Sequence, residues 1–227
     1  MKKILPAIIG LGYVGLPVFI SLKKKFKVIG FDTNRDRVTN LNCQIDSNSE
    51  FSKNELKLLN KSQITNKKKK LKKCNFFIIT VPTPINKNNI PDLKYIISAF
   101  KTISKYIKKD DIIFLESTVF PGTTEKICKN IIKKNNNVKF HIGYSSERIN
   151  PGDKIHNIKN ISKVVSIKGN KEIISTVKKV YSYISKKIIF SENIREAELS
   201  KLIENTQRDL NIALMNEIMI LCHKTNL

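Results

Sequence analysis

The sequence predicts an α/β fold, a doubly wound and mostly parallel sheet followed by a long connecting helix. Apolar runs of strand length alternate with segments of helical periodicity along the first part of the chain. A glycine-rich turn opens the first of these helices, and the last stretch has helical periodicity without Gly or Pro. We therefore expect a domain over residues 1–193 and the start of a long helix over residues 194–227.

The strands and helices follow one another in the order that a parallel sheet requires. Seven apolar runs are predicted as strands: residues 5–9, 28–31, 76–81, 112–116, 140–143, 164–167 and 188–190. Five segments with apolar positions three or four apart are predicted as helices: residues 13–24, 34–41, 92–107, 123–133 and 171–184. The Lys- and Asn-rich stretch 60–73 is assigned no element.

The composition is strongly basic, with a formal net charge of +23. Such a charge can indicate a polyanionic partner, but the lysines lie in short runs without interleaved aromatic residues that could stack on bases. We therefore expect solvated lysine faces and no nucleic-acid partner. Cys43, Cys74, Cys128 and Cys222 form no CxxC pair, so we predict neither a metal site nor a disulfide framework.

The uncharged stretch 4–22, which follows two lysines, has some features of a targeting signal or a membrane span. Its three glycines, which have the spacing of a GxGxxG motif, and the continuing fold pattern favour a folded domain without a membrane partner. With the scattered cysteines, this favours a cytoplasmic location.

Three glycines mark the turn between the first strand and the first helix. Gly10 permits a tight turn, Gly12 lets the backbone approach a pyrophosphate, and Gly15 lets the helix pack close to the strand. Tyr13 and Val14 complete the motif. The phosphates would lie at the helix N-terminus, where free N–H groups favour negative charge. The pattern predicts a Rossmann-type dinucleotide site.

Asp32 ends the second strand at the ~20-residue offset of a ribose-binding acid. Its carboxylate would accept hydrogen bonds from the ribose 2′-hydroxyl and repel a 2′-phosphate, which favours NAD over NADP. Alternatively, the glycines only make a turn and Asp32 caps the next helix. Arg37 could pair with Asp32, lie along the adenine or help to hold a phosphate.

Polar residues follow three later strands, at the sheet edge where open α/β folds bind ligands. Thr83, after Pro82, and Thr118 could donate hydrogen bonds to a cofactor or substrate, or could be turn or cap residues. Glu147 is a candidate general base, although it could instead pair with Arg148.

On the long helix, predicted over residues 195–223, Lys201, Asn205 and Arg208 share one face because they stand at positions i, i+4 and i+7. A lysine and an amide one turn apart could stabilise an oxyanion. The alternative is a solvated stripe, opposite an apolar face made of Leu199, Leu202, Ile203, Leu210 and Leu214.

Six strings of the sequence together resemble the UDP-sugar 6-dehydrogenases of the UDP-glucose/GDP-mannose dehydrogenase superfamily. They are most similar to the branch that acts on UDP-N-acetyl-hexosamines, which includes the Vi-polysaccharide type UDP-N-acetyl-D-glucosamine 6-dehydrogenase. The strings are GLGYVGLP, GFDTNRDRV, ITVPTPIN, ESTVFPGTTE, SSERINPGDKIH and AELSKLIENTQRDLNIALMNE.

The resemblance implies oxidation of a sugar C6 alcohol to a carboxylate in two steps, with two NAD and a cysteine that forms thiohemiacetal and thioester intermediates. It implies that Asp32 and Arg37 contact the adenosine ribose side of NAD. Thr83 and Thr118 would line the nicotinamide half, Glu147 would be the base for thioester hydrolysis, and Lys201 with Asn205 would stabilise oxyanions and orient water. In relatives, the long helix packs against its counterpart in a homodimer.

The chain departs from the family in one respect. The family's nucleophilic cysteine lies in a GGHC-type motif beyond the long helix, and none of the four cysteines has such a context. We therefore expect the NAD-binding portion of a UDP-N-acetyl-hexosamine dehydrogenase, a fragment, a truncated product or half of a split enzyme, inactive by itself. The alternative is a stand-alone nucleotide-binding module without catalysis. The sequence leaves open which UDP-sugar the whole enzyme would take.

Overall fold

The computed structural model of the chain describes residues 3–57, 63–146 and 162–227. Within them, eight strands form one sheet in the order β3-β2-β1-β4-β5-β6-β7-β8. The strands are β1 Pro6–Ile9, β2 Ile29–Phe31, β3 Ile64–Thr65, β4 Phe76–Ile79, β5 Ile112–Leu115, β6 His141–Ser145, β7 Lys163–Ile167 and β8 Ile188–Ser191. The strands β1 to β6 are parallel, β7 is antiparallel to β6, and β8 is parallel to β7.

Seven α-helices are found in the same residues. They are α1 Gly15–Lys23, α2 Arg35–Asn42, α3 Lys53–Leu56, α4 Lys94–Ser104, α5 Lys129–Asn135, α6 Lys171–Tyr181 and α7 Ile194–Thr225. A 3₁₀ helix covers Lys68–Lys73, and a π-helical segment covers Thr123–Cys128 and leads into α5. None of the helices described is long and apolar enough to cross a membrane.

The sheet has a hydrophobic core on each face, so the central strands β1, β4 and β5 are buried at every position. One core packs α1, α2 and α6 against the sheet, and it contains Phe76, Phe114 and Tyr181. The other packs α4, α5 and the start of α7, and it contains Phe77 and Phe100. Both helix layers are thus fixed to a rigid sheet.

This topology places a crevice at the carboxyl ends of β1 and β4. The chain proceeds from β1 towards β2 and β3 on one side, and from β4 towards β5 and β6 on the other. Open α/β sheets bind ligands where the strand order reverses in this way. The glycine turn after β1 lies at that crevice.

The α/β fold, the mostly parallel sheet and the long helix are confirmed. Three short elements were not predicted: β3, α3 and the 3₁₀ helix in the Lys-rich stretch. The helix predicted over residues 123–133 begins instead as a π-helical segment. The apolar stretch 4–22 forms β1, the glycine turn and most of α1.

Candidate functional site

Two positions of the glycine turn, Gly10 and Gly15, require glycine for its geometry. Gly10 has a φ of +95°, in the left-handed region that favours glycine. A Cβ at Gly15 would lie 1.9 Å from the Gly10 carbonyl oxygen and 2.5 Å from the Thr80 Oγ1. The Thr80 hydroxyl donates a 2.9 Å hydrogen bond to the Gly10 carbonyl. Thr80, at the end of β4, therefore fixes the turn from the neighbouring strand.

The outer side of the turn is open. A Cβ at Gly12 would meet no atom within 4 Å, and the side chain of Tyr13 is 47% exposed. Val14, the N-cap of α1, makes no side-chain cap hydrogen bond, and the first turn of α1 has no acidic residue. The Leu16 N–H donates to the Gly12 carbonyl at 3.1 Å, and no N-cap side chain competes with a phosphate at this helix N-terminus.

A cleft of about 380 Å³ lies beside the turn and is lined by Gly12, Asp32 and Arg37, among others. The Asp32 carboxylate accepts hydrogen bonds from the Leu11 N–H at 2.8 Å and the Asn34 N–H at 2.9 Å. A carboxylate has further lone pairs, so Asp32 retains acceptor capacity towards ribose hydroxyls. The N-cap of α2 is Asn34, so capping this helix is not the role of Asp32.

Arg37 is buried and held from two sides. Its Nε donates to the Leu11 carbonyl at 2.8 Å, and its Nη1 contacts Asp46 at 2.6 Å and Ser47 at 3.0 Å. The suggested pairing with Asp32 is not formed, because Asp46 supplies the carboxylate. The Arg37 Nη2 is buried with no hydrogen-bond partner among the described residues, which leaves a donor for a ligand in the cleft.

The other side of the crevice is formed by the ends of β4 and β5. The Ser117 hydroxyl donates a 2.6 Å hydrogen bond to the Val81 carbonyl, so the two strand ends are joined. Pro82 is exposed, and Thr118 is half-buried. The Thr83 Oγ1 is buried and has no hydrogen-bond partner within the described ranges. A dinucleotide in the crevice would supply a partner for this hydroxyl.

The start of α7 packs on the domain through a short face that combines apolar and charged residues: Ile194, Ala197, Glu198 and Lys201. Lys201 is only 7% exposed, and Asn205 is half-buried. Arg208 is exposed and pairs with Glu204 at 3.0 Å. Of the predicted apolar face, Leu199, Ile203, Leu210 and Leu214 are between 44% and 65% exposed, and Leu202 is half-buried. The alternative of a solvated stripe over Lys201 is therefore wrong for that residue and fits only Arg208.

Glu147, the candidate general base, lies outside the described residues. Glu116, just past β5, accepts hydrogen bonds from Lys163 and Tyr181, both at 2.8 Å. This buried group joins β5, β7 and α6 next to the candidate site.

None of the four cysteines is placed as a reactive nucleophile beside the crevice at the carboxyl ends of β1 and β4. Burial raises the pKa of Cys74 to about 11, and burial together with the nearby Glu198 carboxylate raises the pKa of Cys128 to about 12. Both thiols therefore stay protonated near neutral pH. Cys43 follows α2 at its far end, and Cys222 lies on α7 roughly 30 Å beyond Lys201 at 1.5 Å per residue.

Four residues of the site were not found by sequence reasoning. They are Thr80, Ser117, Asp46 and Glu198, and all four act through hydrogen bonds to other segments. Ser117 stands directly after a predicted strand, which is the signal that selected Thr118, whereas Thr80 lies within the predicted strand 76–81. No local pattern singles out Asp46 or Glu198.

Residues 3–185 match the model of the UDP-glucose/GDP-mannose dehydrogenase family, NAD binding domain. The chain belongs to this family. Residues 195–227 match the model of the central domain of the same family. The chain therefore carries the NAD-binding domain of the family, and its cofactor is NAD. The open Gly12 turn, the uncapped α1 and the unpartnered Thr83 hydroxyl fit that cofactor.

Curated relatives extend the likeness over nearly the whole chain. The chain is 45% identical to the UDP-N-acetyl-D-glucosamine 6-dehydrogenase of Salmonella typhi, over 97% of this chain and 53% of the relative. It is 44% identical to the enzyme of the same name from Pseudomonas aeruginosa, over 99% of this chain and 54% of the relative. The chain thus spans about half the length of the curated relatives that it matches.

Solved structures share the fold. The UDP-D-ManNAc dehydrogenase of Pyrococcus horikoshii superimposes with a TM-score of 0.86 at 30% identity, over 99% of this chain and 55% of that one. The UDP-N-acetyl-mannosamine dehydrogenase of Staphylococcus aureus gives 0.82 at 29% identity, over 98% of this chain and 56% of that one.

Proposed function

We propose that the chain is the NAD-binding portion of an enzyme that oxidises C6 of a UDP-N-acetyl-hexosamine to the uronate. The observation that carries the proposal is the loop after β5, which carries Thr118. Ser117 joins this loop to the end of β4, and Gly122 and Thr124 join it to Glu198, three residues before Lys201 on α7. The names of the relatives support the substrate class, and three of them act on UDP-N-acetylated hexoses.

Each residue has a role that its surroundings support. Gly10, Gly12 and Gly15, with Tyr13 and Val14, hold the pyrophosphate against the N-terminus of α1. Asp32 accepts hydrogen bonds from the adenosine ribose, and the Arg37 Nη2 donates to the same half of the cofactor. Pro82, Thr83 and Thr118 would line the nicotinamide half of NAD, which would supply the hydride acceptor for the oxidation at C6.

Lys201 and Asn205 stabilise negative charge on the substrate oxygen and orient a water molecule. Lys201 suits this role because it is held at the buried start of α7, where a charge is weakly screened by solvent. Glu147 is proposed as the base for thioester hydrolysis. The thiolate for the covalent step must come from outside the four cysteines described above.

We further propose that the cofactor domain covers residues 1–193 and that residues 194–227 begin the central helix. The start of α7 at Ile194 supports this boundary. In the whole enzyme, α7 would form the seam of a homodimer, and its exposed apolar side chains support that role. We place the enzyme in the cytoplasm, where NAD and free thiols are found.

The alternative, a nucleotide-binding module without catalysis, accounts less well for the chain. The likeness to the dehydrogenases continues beyond the cofactor domain into residues 195–227. It includes the segment that carries Lys201 and Asn205, which a module that only binds a nucleotide would not need.

The experiment that tests the proposal is calorimetric titration with NAD and with NADP. We expect saturable NAD binding that is tighter than NADP binding. Replacement of Asp32 by Ala should weaken NAD binding about tenfold or more, because hydrogen bonds to a charged acceptor are lost, and should narrow the preference over NADP.

Asp209→Ala is the matched control, because Asp209 is an exposed carboxylate on the distal part of α7. This variant should bind NAD like the wild type. The proposal would be contradicted by a folded wild-type chain that fails to bind NAD, or by an unchanged affinity in Asp32→Ala.

A further inference from the structure

Glu198 is a fully buried carboxylate on the first turns of α7, with 0% exposure. Its two oxygens accept hydrogen bonds from the backbone N–H groups of Gly122 and Thr124, the latter at 2.8 Å. These groups lie at the start of the π-helical segment Thr123–Cys128, which has no side-chain cap of its own. The cap is thus supplied by a residue more than 70 positions away.

Such a carboxylate is costly to bury unless it is well paired. Two hydrogen bonds from N–H groups to a charged acceptor, together with the positive end of a helix, offset that cost. Of the acidic residues in the first turns of α7, Glu196 is instead exposed and contacts Ser191. The burial of Glu198 therefore reflects its specific contact with the loop.

The loop that Glu198 holds is the one that carries Thr118. At its beginning, Ser117 is bonded to Val81 on the side of β4. At its end, Gly122 and Thr124 are bonded to α7. The loop is thus fixed at one end to the cofactor crevice and at the other to the long helix.

The helix α7 also carries two polar residues of the candidate site, Lys201 and Asn205. Lys201 stands three residues after Glu198, and Asn205 stands one helical turn further. Both Glu198 and Lys201 belong to the short buried face with which α7 packs on the domain. A displacement of the loop from Glu198 would change the spacing between Thr118 and Lys201.

We propose that Glu198 is a positioning residue, which fixes the Thr118 loop against α7 and thereby sets the nicotinamide half of the cofactor site relative to Lys201 and Asn205. The inference rests on the proposed function for the roles of Thr118 and Lys201. Glu198 itself touches neither cofactor nor substrate in this assignment.

The test compares Glu198→Gln with the wild type by ¹⁵N-labelled NMR during titration with NAD. The variant keeps the shape of the side chain but presents an NH₂ group to one of the two N–H donors. The amide of Gly12 reports on the pyrophosphate half, and the amide of Thr118 reports on the nicotinamide half. We expect the NAD-induced shift at Gly12 to persist and the shift at Thr118 to be lost or greatly reduced.

Affinities give a second readout. ADP-ribose lacks the nicotinamide ring, so the ratio of NAD to ADP-ribose affinity measures the nicotinamide half alone. In Glu198→Gln this ratio should fall about fivefold, the size of one hydrogen bond, while ADP-ribose binds as before. In the double variant Glu198→Gln/Thr118→Val, the losses in this ratio should not add, because both substitutions remove the same interaction of Thr118 with the nicotinamide half.

Glu196→Gln is the control, since it removes an exposed carboxylate from the same turns of α7, and it should behave like the wild type. An unchanged Thr118 shift in Glu198→Gln would overturn the inference. An equal loss at Gly12 and Thr118 would also overturn it, because it would show a merely structural role. If the wild type binds no NAD at all, the proposed function fails instead.

Discussion

At the scale of single residues, the glycine turn places different demands on two glycines three positions apart. Gly15 packs against the Gly10 carbonyl and Thr80, whereas Gly12 faces open space. Gly15 is needed for the geometry of the turn itself, whereas Gly12 is needed to leave space for the pyrophosphate of the bound cofactor.

This difference predicts opposite outcomes for the same substitution. Gly15→Ala should lower the melting temperature and abolish NAD binding, because its Cβ would lie 1.9 Å from a backbone oxygen. Gly12→Ala should melt like the wild type and still lose most of its NAD affinity, since the methyl group occupies the space of the pyrophosphate. Thermal unfolding with calorimetry measures both. A Gly12→Ala chain that binds NAD normally would contradict the assignment of the turn.

The site residues that could be predicted from sequence are those that belong to a pattern within a short stretch of chain. The spacing of Gly10, Gly12 and Gly15 and the position of Asp32 at a strand end are visible in short stretches of chain. The cap that Glu198 provides joins segments 74 to 76 positions apart, and no short pattern contains both partners. For Arg37 the reason is different: its partner Asp46 is only nine positions away but lies in a loop without a recognisable motif.

At the scale of elements, periodicity predicted the long helices and the buried strands, because their apolar positions repeat over several turns or residues. It failed for β3, a strand of two residues, and for α3, a helix of four residues. Neither is long enough to show a period. For α7 the periodicity identified the helix but not the face that packs on the domain, since Lys201 is buried and Leu210 is exposed.

The contact between Glu116 and Lys163 joins elements that are distant along the chain. Both side chains are nearly inaccessible, and their charged atoms are 2.8 Å apart. Tyr181 donates to the other carboxylate oxygen at 2.8 Å. The group therefore connects β5, β7 and α6 at the edge of the sheet beside the candidate site.

Removal of one partner should be strongly destabilising. Lys163→Met leaves a buried carboxylate without its cation, and we expect a loss of about 3–5 kcal/mol in the free energy of unfolding. Urea unfolding measures this value. Lys168→Met breaks an exposed contact with Glu125 and should cost less than about 1 kcal/mol. Equal losses in the two variants would show that the buried pair has no special role.

At the scale of the whole molecule, α7 extends beyond the domain on which it starts. Of its 32 residues, only Ile194, Ala197, Glu198 and Lys201 are buried. From Thr206 to Leu221 every residue is exposed. The exposed apolar side chains of this part are Leu210, Ile212, Leu214, Met215, Ile218, Met219, Ile220 and Leu221. Many exposed apolar side chains on one helix are typical of an interface.

The homodimer proposed through α7 gives the last prediction. The 227-residue chain should sediment as a dimer in analytical ultracentrifugation, because a second copy would cover apolar side chains that the domain leaves exposed. Met215→Lys should weaken the dimer about tenfold or more, since a buried apolar side chain contributes roughly 1.5–3 kcal/mol. Thr39→Lys adds the same charge at an exposed position of α2 and should leave the association unchanged. A wild-type chain that stays monomeric at high concentration would mean that α7 needs a different partner, and the homodimer would have to be abandoned.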